Sequence, residues 1–173
     1  MADLTGGLAR VLRLLHATPV VSAAKLPPYR VWNEGLAPVV PRYCQSADLW
    51  LRAIAVVASG TAASPNVFIH RDFHPGNTLW SGSELVSVVD WTYASCGPAE
   101  VDLAHMRWNL ACSHGVSVAD EFLSQYGELQ GSSASVQRYW DLRTVVDLLP
   151  ESEDWTIPAE QVPMLEAHLE RLL

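Results

Sequence analysis

The chain has 173 residues, 49% hydrophobic and 17% charged, with seven tryptophans, a composition that can bury a core and argues against a disordered chain. A net charge of −8 and a single lysine, Lys25, leave no Lys/Arg-rich face for a nucleic acid. Cys44, Cys96 and Cys112 are odd in number and widely spaced, so they read as buried thiols of a reducing compartment, not as a disulfide frame or a zinc site. No apolar run approaches the roughly 20 residues that span a bilayer. The expectation is one cytoplasmic domain over residues 1–173, without membrane or nucleic-acid partners.

The first predicted element is a helix over 3–16, where Leu4, Leu8, Val11, Leu12 and Leu15 recur at helical spacing. His16 and Pro19 interrupt what would otherwise resemble a signal peptide. Pro19, Pro27, Pro28, Pro38 and Pro41 then predict a stretch of sparse regular structure. Ser46 before Ala47 and Asp48 reads as the cap of a helix that ends before Gly60. The period then changes. Residues 67–69 read as a short buried strand, and 78–80 with 85–89 as a hairpin turned at 81–83. After Gly97-Pro98 come predicted helices near 99–113, 118–129, 135–149 and 158–172. The fold class is α+β, mostly helical, with a small β-hairpin insert.

The segment FIHRDFHPGN, Phe68 to Asn77, concentrates polar chemistry just behind the predicted strand. His70, Asp72 and His74 alternate, and on an extended backbone all three would project to one side, as zinc ligands might. The remaining histidines, His16, His105, His114 and His168, read as surface or packing residues, with only His105 close to a plausible partner, Asp102. Phosphoryl transfer is the competing reading. His70-Arg71-Asp72-x-x-x-x-Asn77 matches the H-R-D-x-x-x-x-N pattern of kinase catalytic loops. The aspartate accepts the proton of the attacking hydroxyl, and the amide oxygen, a tight turn later, ligates the magnesium that neutralises the phosphates. A second metal-binding carboxylate should follow a nearby hydrophobic strand, and Asp90 does, after Val86-Ser87-Val88-Val89. The plainer alternatives are a loop carboxylate for Asp72, a turn cap for Asn77, a strand-end cap for Asp90, and a loop-shaping role for His74.

HRDFHPGN, VVDW and GPAEVDLAH together resemble the catalytic half of the aminoglycoside phosphotransferase and choline-kinase-like superfamily, and LARVLRLLHATP resembles the helix after its interlobe hinge. The resemblance implies a protein-kinase-like C-terminal lobe, with the catalytic and metal segment at 67–105 and a helical remainder at 106–173. It implies ATP as phosphate donor, Mg2+ as cofactor, and a small-molecule hydroxyl, aminoglycoside- or choline-like, as acceptor. Carried over position by position, Asp72 is the catalytic base, and Asn77 and Asp90 are the metal ligands. Leu79 forms part of the floor under the adenine, Asp102 braces the catalytic loop, and His70 holds its backbone.

The sequence departs from that pattern at its start. Before the loop the glycines are Gly6, Gly7, Gly35 and Gly60, which form no G-x-G-x-x-G, and Lys25 sits in a poor strand context. The chain therefore reads as a C-terminal lobe with the N-terminal lobe absent. The expectation is a truncated or split kinase that uses an N-lobe partner chain or a homo-oligomer, with a non-catalytic interaction or regulatory module that keeps the fold as the alternative. An exposed hydrophobic surface, with oligomerisation or poor solubility, is the corollary. Asp141, Asp147, Glu151, Glu153 and Asp154 could face an aminated acceptor, against the plainer expectation of a solvated helix surface. Trp91, Trp108, Trp140 and Trp155 could line the acceptor pocket or simply fill core.

Overall fold

A computed structural model describes residues 2–19, 26–61, 63–131, 137–151 and 156–173. Lys25, Glu153, Asp154 and Trp155 lie outside the described residues. Among the described residues the order is α1 (Ala2–His16), α2 (Ala47–Ala58), β1 (Asn66–Ile69), β2 (Thr78–Ser81), β3 (Glu84–Val88), β4 (Ser95–Pro98), α3 (Ala99–His114), α4 (Val116–Gln130), α5 (Arg138–Val146) and α6 (Val162–Leu172). The fold is mixed and mostly helical, and none of these helices is long and apolar enough to cross a membrane.

The strands form two antiparallel pairs, β1 with β4 and β2 with β3. The hairpin matches expectation; β4 does not, because Gly97-Pro98 reads in sequence as a turn. In the fold Gly97 faces Val67 across the β1–β4 ladder, and a Cβ there would lie 2.6 Å from the Tyr29 Cβ. Glycine is needed for that close approach. The proline-rich stretch docks on the same strand, through Tyr29 N–H to the Cys96 carbonyl and Cys96 N–H to the Pro27 carbonyl, both at 2.9 Å.

Helix α3 is the axis. Ten of its sixteen residues are buried, charged ones included, as expected of a helix surrounded by others instead of lying on a surface. Against one side, Leu8 and Leu12 of α1 and Phe122 of α4 pack on Met106 and Leu110. Against another, Trp50 of α2, Leu142 and Val145 of α5, and Leu165 and Leu169 of α6 form a second core. α2 begins where expected, but the Ser46 side chain makes no cap. Instead the buried Glu166 carboxylate on α6 accepts the N–H groups of Gln45 (2.7 Å), Ser46 (3.2 Å) and the Trp50 indole (2.9 Å). α6 begins later than the sequence suggests, with Pro163 in its first turn.

Candidate active site

Strand β1 ends at the buried Ile69 and hands the chain to a loop that hydrophobic packing and one carboxylate hold in place. His70 and Phe73 are fully buried. Phe73 inserts into the α1–α3–α4 core one residue past Asp72, an anchor worth roughly 1.5–3 kcal/mol. Beneath the loop, Asp102 in the first turn of α3 accepts the His70 N–H on Oδ2 at 2.8 Å and the Arg71 N–H on Oδ1 at 2.6 Å. His16 on α1 places Nε2 3.2 Å from the same Oδ2, and its Nδ1 lies 2.8 Å from the Tyr126 hydroxyl on α4. The His70 ring faces away from Asp72, donating from Nε2 to the Val89 carbonyl at 3.0 Å and packing on Trp91.

Arg71 and Asp90 carry positive φ, +72° and +60°, and no other non-glycine residue does so among the described residues. Left-handed backbone is costly for residues with a Cβ and concentrates where function dictates geometry. The Arg71 guanidinium lies 3.7 Å over the Trp32 ring and donates to the Arg30 carbonyl, fastening the proline-rich segment to the loop.

Between these fixed points sits the Asp72 carboxylate. Its Oδ1 is 3.2 Å from His105 Nε2 and 3.9 Å from His74 Nε2, and its Oδ2 accepts from Asn77 Nδ2 at 3.2 Å. The His105 hydrogen bond, reinforced by the His105 and His74 charges and by Asn77, overcomes burial and pulls this carboxyl down to about 2. Asn77 Nδ2 also donates to the Asp72 carbonyl at 2.9 Å. Both amide hydrogens are thereby committed, the amide orientation is fixed, and Oδ1 is left as an uncommitted oxygen. The Asn77 carbonyl accepts the Val89 N–H at 2.9 Å, which zips the loop to the residue before Asp90. The Asp90 carboxylate is exposed, bonded to the Thr92 hydroxyl at 2.8 Å. It is near enough to raise the His74 imidazole, although burial, the larger effect, lowers that group. His74 itself shapes the turn, its Nδ1 accepting the Gly76 N–H at 3.1 Å.

The donor chemistry is that of a hard divalent cation. Asn77 Oδ1 and the Asp90 carboxylate are oxygen donors on segments joined by a backbone hydrogen bond. The zinc reading fares differently: His70 is engaged elsewhere, and among the described residues no group of three or more His, Cys, Asp and Glu side chains is arranged to hold a metal. Leu79 on β2 is about half exposed, as are Val86 and Trp91 nearby in sequence.

Next to Asp72 opens a cavity of about 680 Å³, bounded by Trp32, Tyr93, Trp108, His74, His105, Asp147, Pro150 and Pro158. Of the tryptophans singled out in the sequence, Trp108 borders it, whereas Trp140 is core and Trp91 stacks on Phe68. Of the described acidic residues expected on a solvated surface, Asp141 and Asp147 are not there. Asp141 is buried against Arg107, and Asp147 is buried against Arg143 at 2.6 Å. Glu151 accepts the Arg42 and Ile157 N–H groups at 3.0 and 2.9 Å. Sequence reasoning also missed His16 and His105 as site residues. The one usable signal was the spacing of Asp102 and His105, three apart on a helix and so on one face.

Residues 2–163 match the phosphotransferase enzyme family. No curated protein matches the chain in sequence. Among solved structures, spectinomycin phosphotransferase APH(9)-Ia in complex with ADP and spectinomycin aligns with a TM-score of 0.62 at 17% identity, over 100% of this chain and 67% of that one. Amicoumacin kinase hAmiN in complex with AMP-PNP, Ca2+ and Ami gives 0.55 at 13% identity, over 99% and 57%. APH(2'')-IIa in its ternary complex with streptomycin and ATP gives 0.56 at 15%, over 93% and 64%. The chain therefore spans 57 to 67% of the length of these proteins, and the likeness is one of fold. Fold and catalytic-loop pattern define a phosphotransferase-like protein. The chain belongs to the phosphotransferase enzyme family.

Proposed function

We propose that the chain carries the catalytic loop of an ATP-dependent small-molecule kinase. The observation that carries this reading is the Asp72 carboxylate, clamped by His105 on one oxygen and Asn77 on the other at the edge of an open cavity. An acceptor alcohol in that cavity meets a fixed, ionised base. As its oxygen bonds to the γ-phosphorus, its proton passes to Asp72, and the bond from γ-phosphorus to the bridging oxygen breaks with the electron pair leaving on ADP. Positioning and electrostatics supply most of the rate. Asn77 and Asp90 would hold magnesium, which would neutralise charge on the donor phosphates. Asp102 holds the loop backbone through the His70 and Arg71 N–H groups, and the half-exposed Leu79 is available to form part of the floor under an adenine. The reaction also needs a glycine-rich cover and a phosphate-pairing lysine; an N-lobe partner chain would supply them, and the exposed Leu79 and Val86 are suited to such a contact.

Asp72→Asn keeps the shape and removes the proton acceptor. Transfer from radiolabelled ATP to small alcohols, assayed with an N-terminal lobe supplied, should fall by about 10²–10⁴-fold while circular dichroism shows the fold retained. Retained transfer would remove Asp72 from the role of base. Asn77→Ala should weaken Mg–ATP binding by about tenfold or more in calorimetry. The interaction-module reading gains instead if no transfer occurs under any magnesium concentration and nucleotide affinity ignores both substitutions.

A further inference from the structure

The cavity beside Asp72 has a chemistry of its own, and it differs from what the acidic sequence suggests. Its mouth is aromatic. Trp32 is 38% exposed and Tyr93 46% exposed, their rings locked edge to face at 4.4 Å, with Arg71 covering one Trp32 face at 3.7 Å. Both side chains are thus immobilised before any ligand arrives, and a rigid aromatic wall costs little entropy on binding. Two amides complete the lining. Asn33 Nδ2 donates to the carbonyls of Asp147 and Leu149 at 2.9 and 2.8 Å, and Asn109 Nδ2 donates to the His105 carbonyl at 2.9 Å. Only an NH2 group can sit opposite carbonyl oxygens, so both amides are oriented and each leaves its Oδ1 without a protein partner. The site therefore offers hydrogen-bond acceptors, suited to hydroxyl donors, beside flat apolar faces.

Charge is the third observation. Among the described lining residues the carboxylates are Asp72 and Asp147. Asp147 is already neutralised by Arg143 at 2.6 Å and bonded by the Tyr29 hydroxyl at 3.4 Å, with its side chain 4% exposed. Among the described lining residues a polyamine would find one carboxylate without a cationic side chain paired to it, the base, already flanked by two imidazoles.

We propose that the acceptor is a glycoside-like alcohol of low charge, with its apolar ring face stacked on the Trp32–Tyr93 wall and its hydroxyls donating to Asn33 and Asn109, and not a polycationic amino sugar. This rests on the phosphotransferase reading for the role of Asp72 and extends it to the acceptor. The volume, about 680 Å³, is that of a site for a ligand of one or two rings plus substituents.

The test is binding, which needs no phosphate donor. A panel of neutral 4-nitrophenyl glycosides (glucoside, galactoside, mannoside, fucoside) is titrated into the full chain by calorimetry and by saturation-transfer NMR with irradiation of aromatic protons; gentamicin is the polycationic control. At least one glycoside should bind, with saturation reaching its ring C–H protons. Its Kd should rise about tenfold in Trp32→Leu and several-fold in Asn33→Ala, both checked for native circular dichroism. Tyr93→Leu, at a more exposed position, gives the same reading should Trp32→Leu fail to fold. If no glycoside binds, or if gentamicin binds more tightly with an affinity that collapses in salt and ignores Trp32→Leu, the proposal is overturned. Mg–ATP binding that still depends on Asn77 would leave the phosphotransferase reading standing in that event, so the two can fail separately.

Discussion

Two buried aspartates meet the same helix, and they are treated differently. Asp102, in the first turn of α3, is surrounded by donors: two backbone N–H groups and His16. Asp141, packed on Arg107 further along α3, has one charged partner, and its Oδ1 is buried without any. The disparity extends outward. Around Asp102 the loop is held rigid enough to keep Arg71 at positive φ. Around Arg107 the guanidinium Nε and both ring nitrogens of His168 are buried and unpartnered. A carboxylate that replaces each lost water with a donor fixes geometry. One that does not is close to dispensable.

The sharpest way to break this comparison is the same isosteric change at both sites. Asp102→Asn must place an NH2 group against either the His70 or the Arg71 N–H, donor against donor, and removes the charge facing His16. The loss should be about 3–5 kcal/mol in urea unfolding, accompanied by collapse of any Mg–ATP binding, because the loop carrying Asn77 is released. A loss under about 1 kcal/mol would mean that Phe73 packing and the hydrogen bonds to Val89 hold the loop without Asp102.

The next effect belongs to the poorly satisfied side. Burial, helped by the Arg107 charge, lowers His168 to about 4, whereas an unfolded histidine titrates near 6.5. The folded state keeps this ring neutral while the unfolded chain takes up a proton. Stability is therefore complete above about pH 6.5 and drains away as pH falls towards 4, by on the order of 3 kcal/mol. His168→Leu should flatten that part of the pH–stability curve. An unchanged slope between pH 6.5 and 4 in the variant would assign the acid sensitivity elsewhere.

The same contrast explains what was legible in the sequence. Asp72 and Asn77 are five residues apart on one loop, so their chemistry is written in local spacing, and Asp90 follows from a strand that ends beside them. The outer helices α1, α2, α4 and α6 and the hairpin follow from periodicity. The clamp under the loop is different. Asp102 meets His16 across 86 positions, and His16 meets Tyr126 across 110, distances over which no local pattern speaks. His105 reads as one more residue of a helix without a clean apolar stripe, because α3 is buried on nearly all sides and its polar residues face inward. Burial of Asp141 and Asp147 was hidden for the same reason: α5 mixes charged and apolar residues, and only the positions of Arg107 and Arg143 show that its acids point into protein. β4 was lost because a glycine chosen for close packing on Tyr29 looks, in one dimension, like a glycine chosen for a turn.

Asp141→Asn closes the comparison with the smallest expected effect. Burial raises this carboxyl to about 6 despite the Arg107 charge, so at neutral pH the fold must ionise a group it would sooner keep protonated. For a carboxyl raised in the folded state, its contribution is present below the unfolded value near 3.9 and is lost as pH rises through about 6. An asparagine keeps an oxygen for Arg107 and removes the ionisation cost, while Arg107 retains Asp120 at 3.1 Å. At pH 7 the change should therefore cost less than about 1 kcal/mol, and relative to wild type the variant should look worse at pH 4 than at pH 7. A loss as large as that of Asp102→Asn would show that the Arg107 pair is a structural keystone, and that counting satisfied hydrogen bonds does not rank buried charges in this protein.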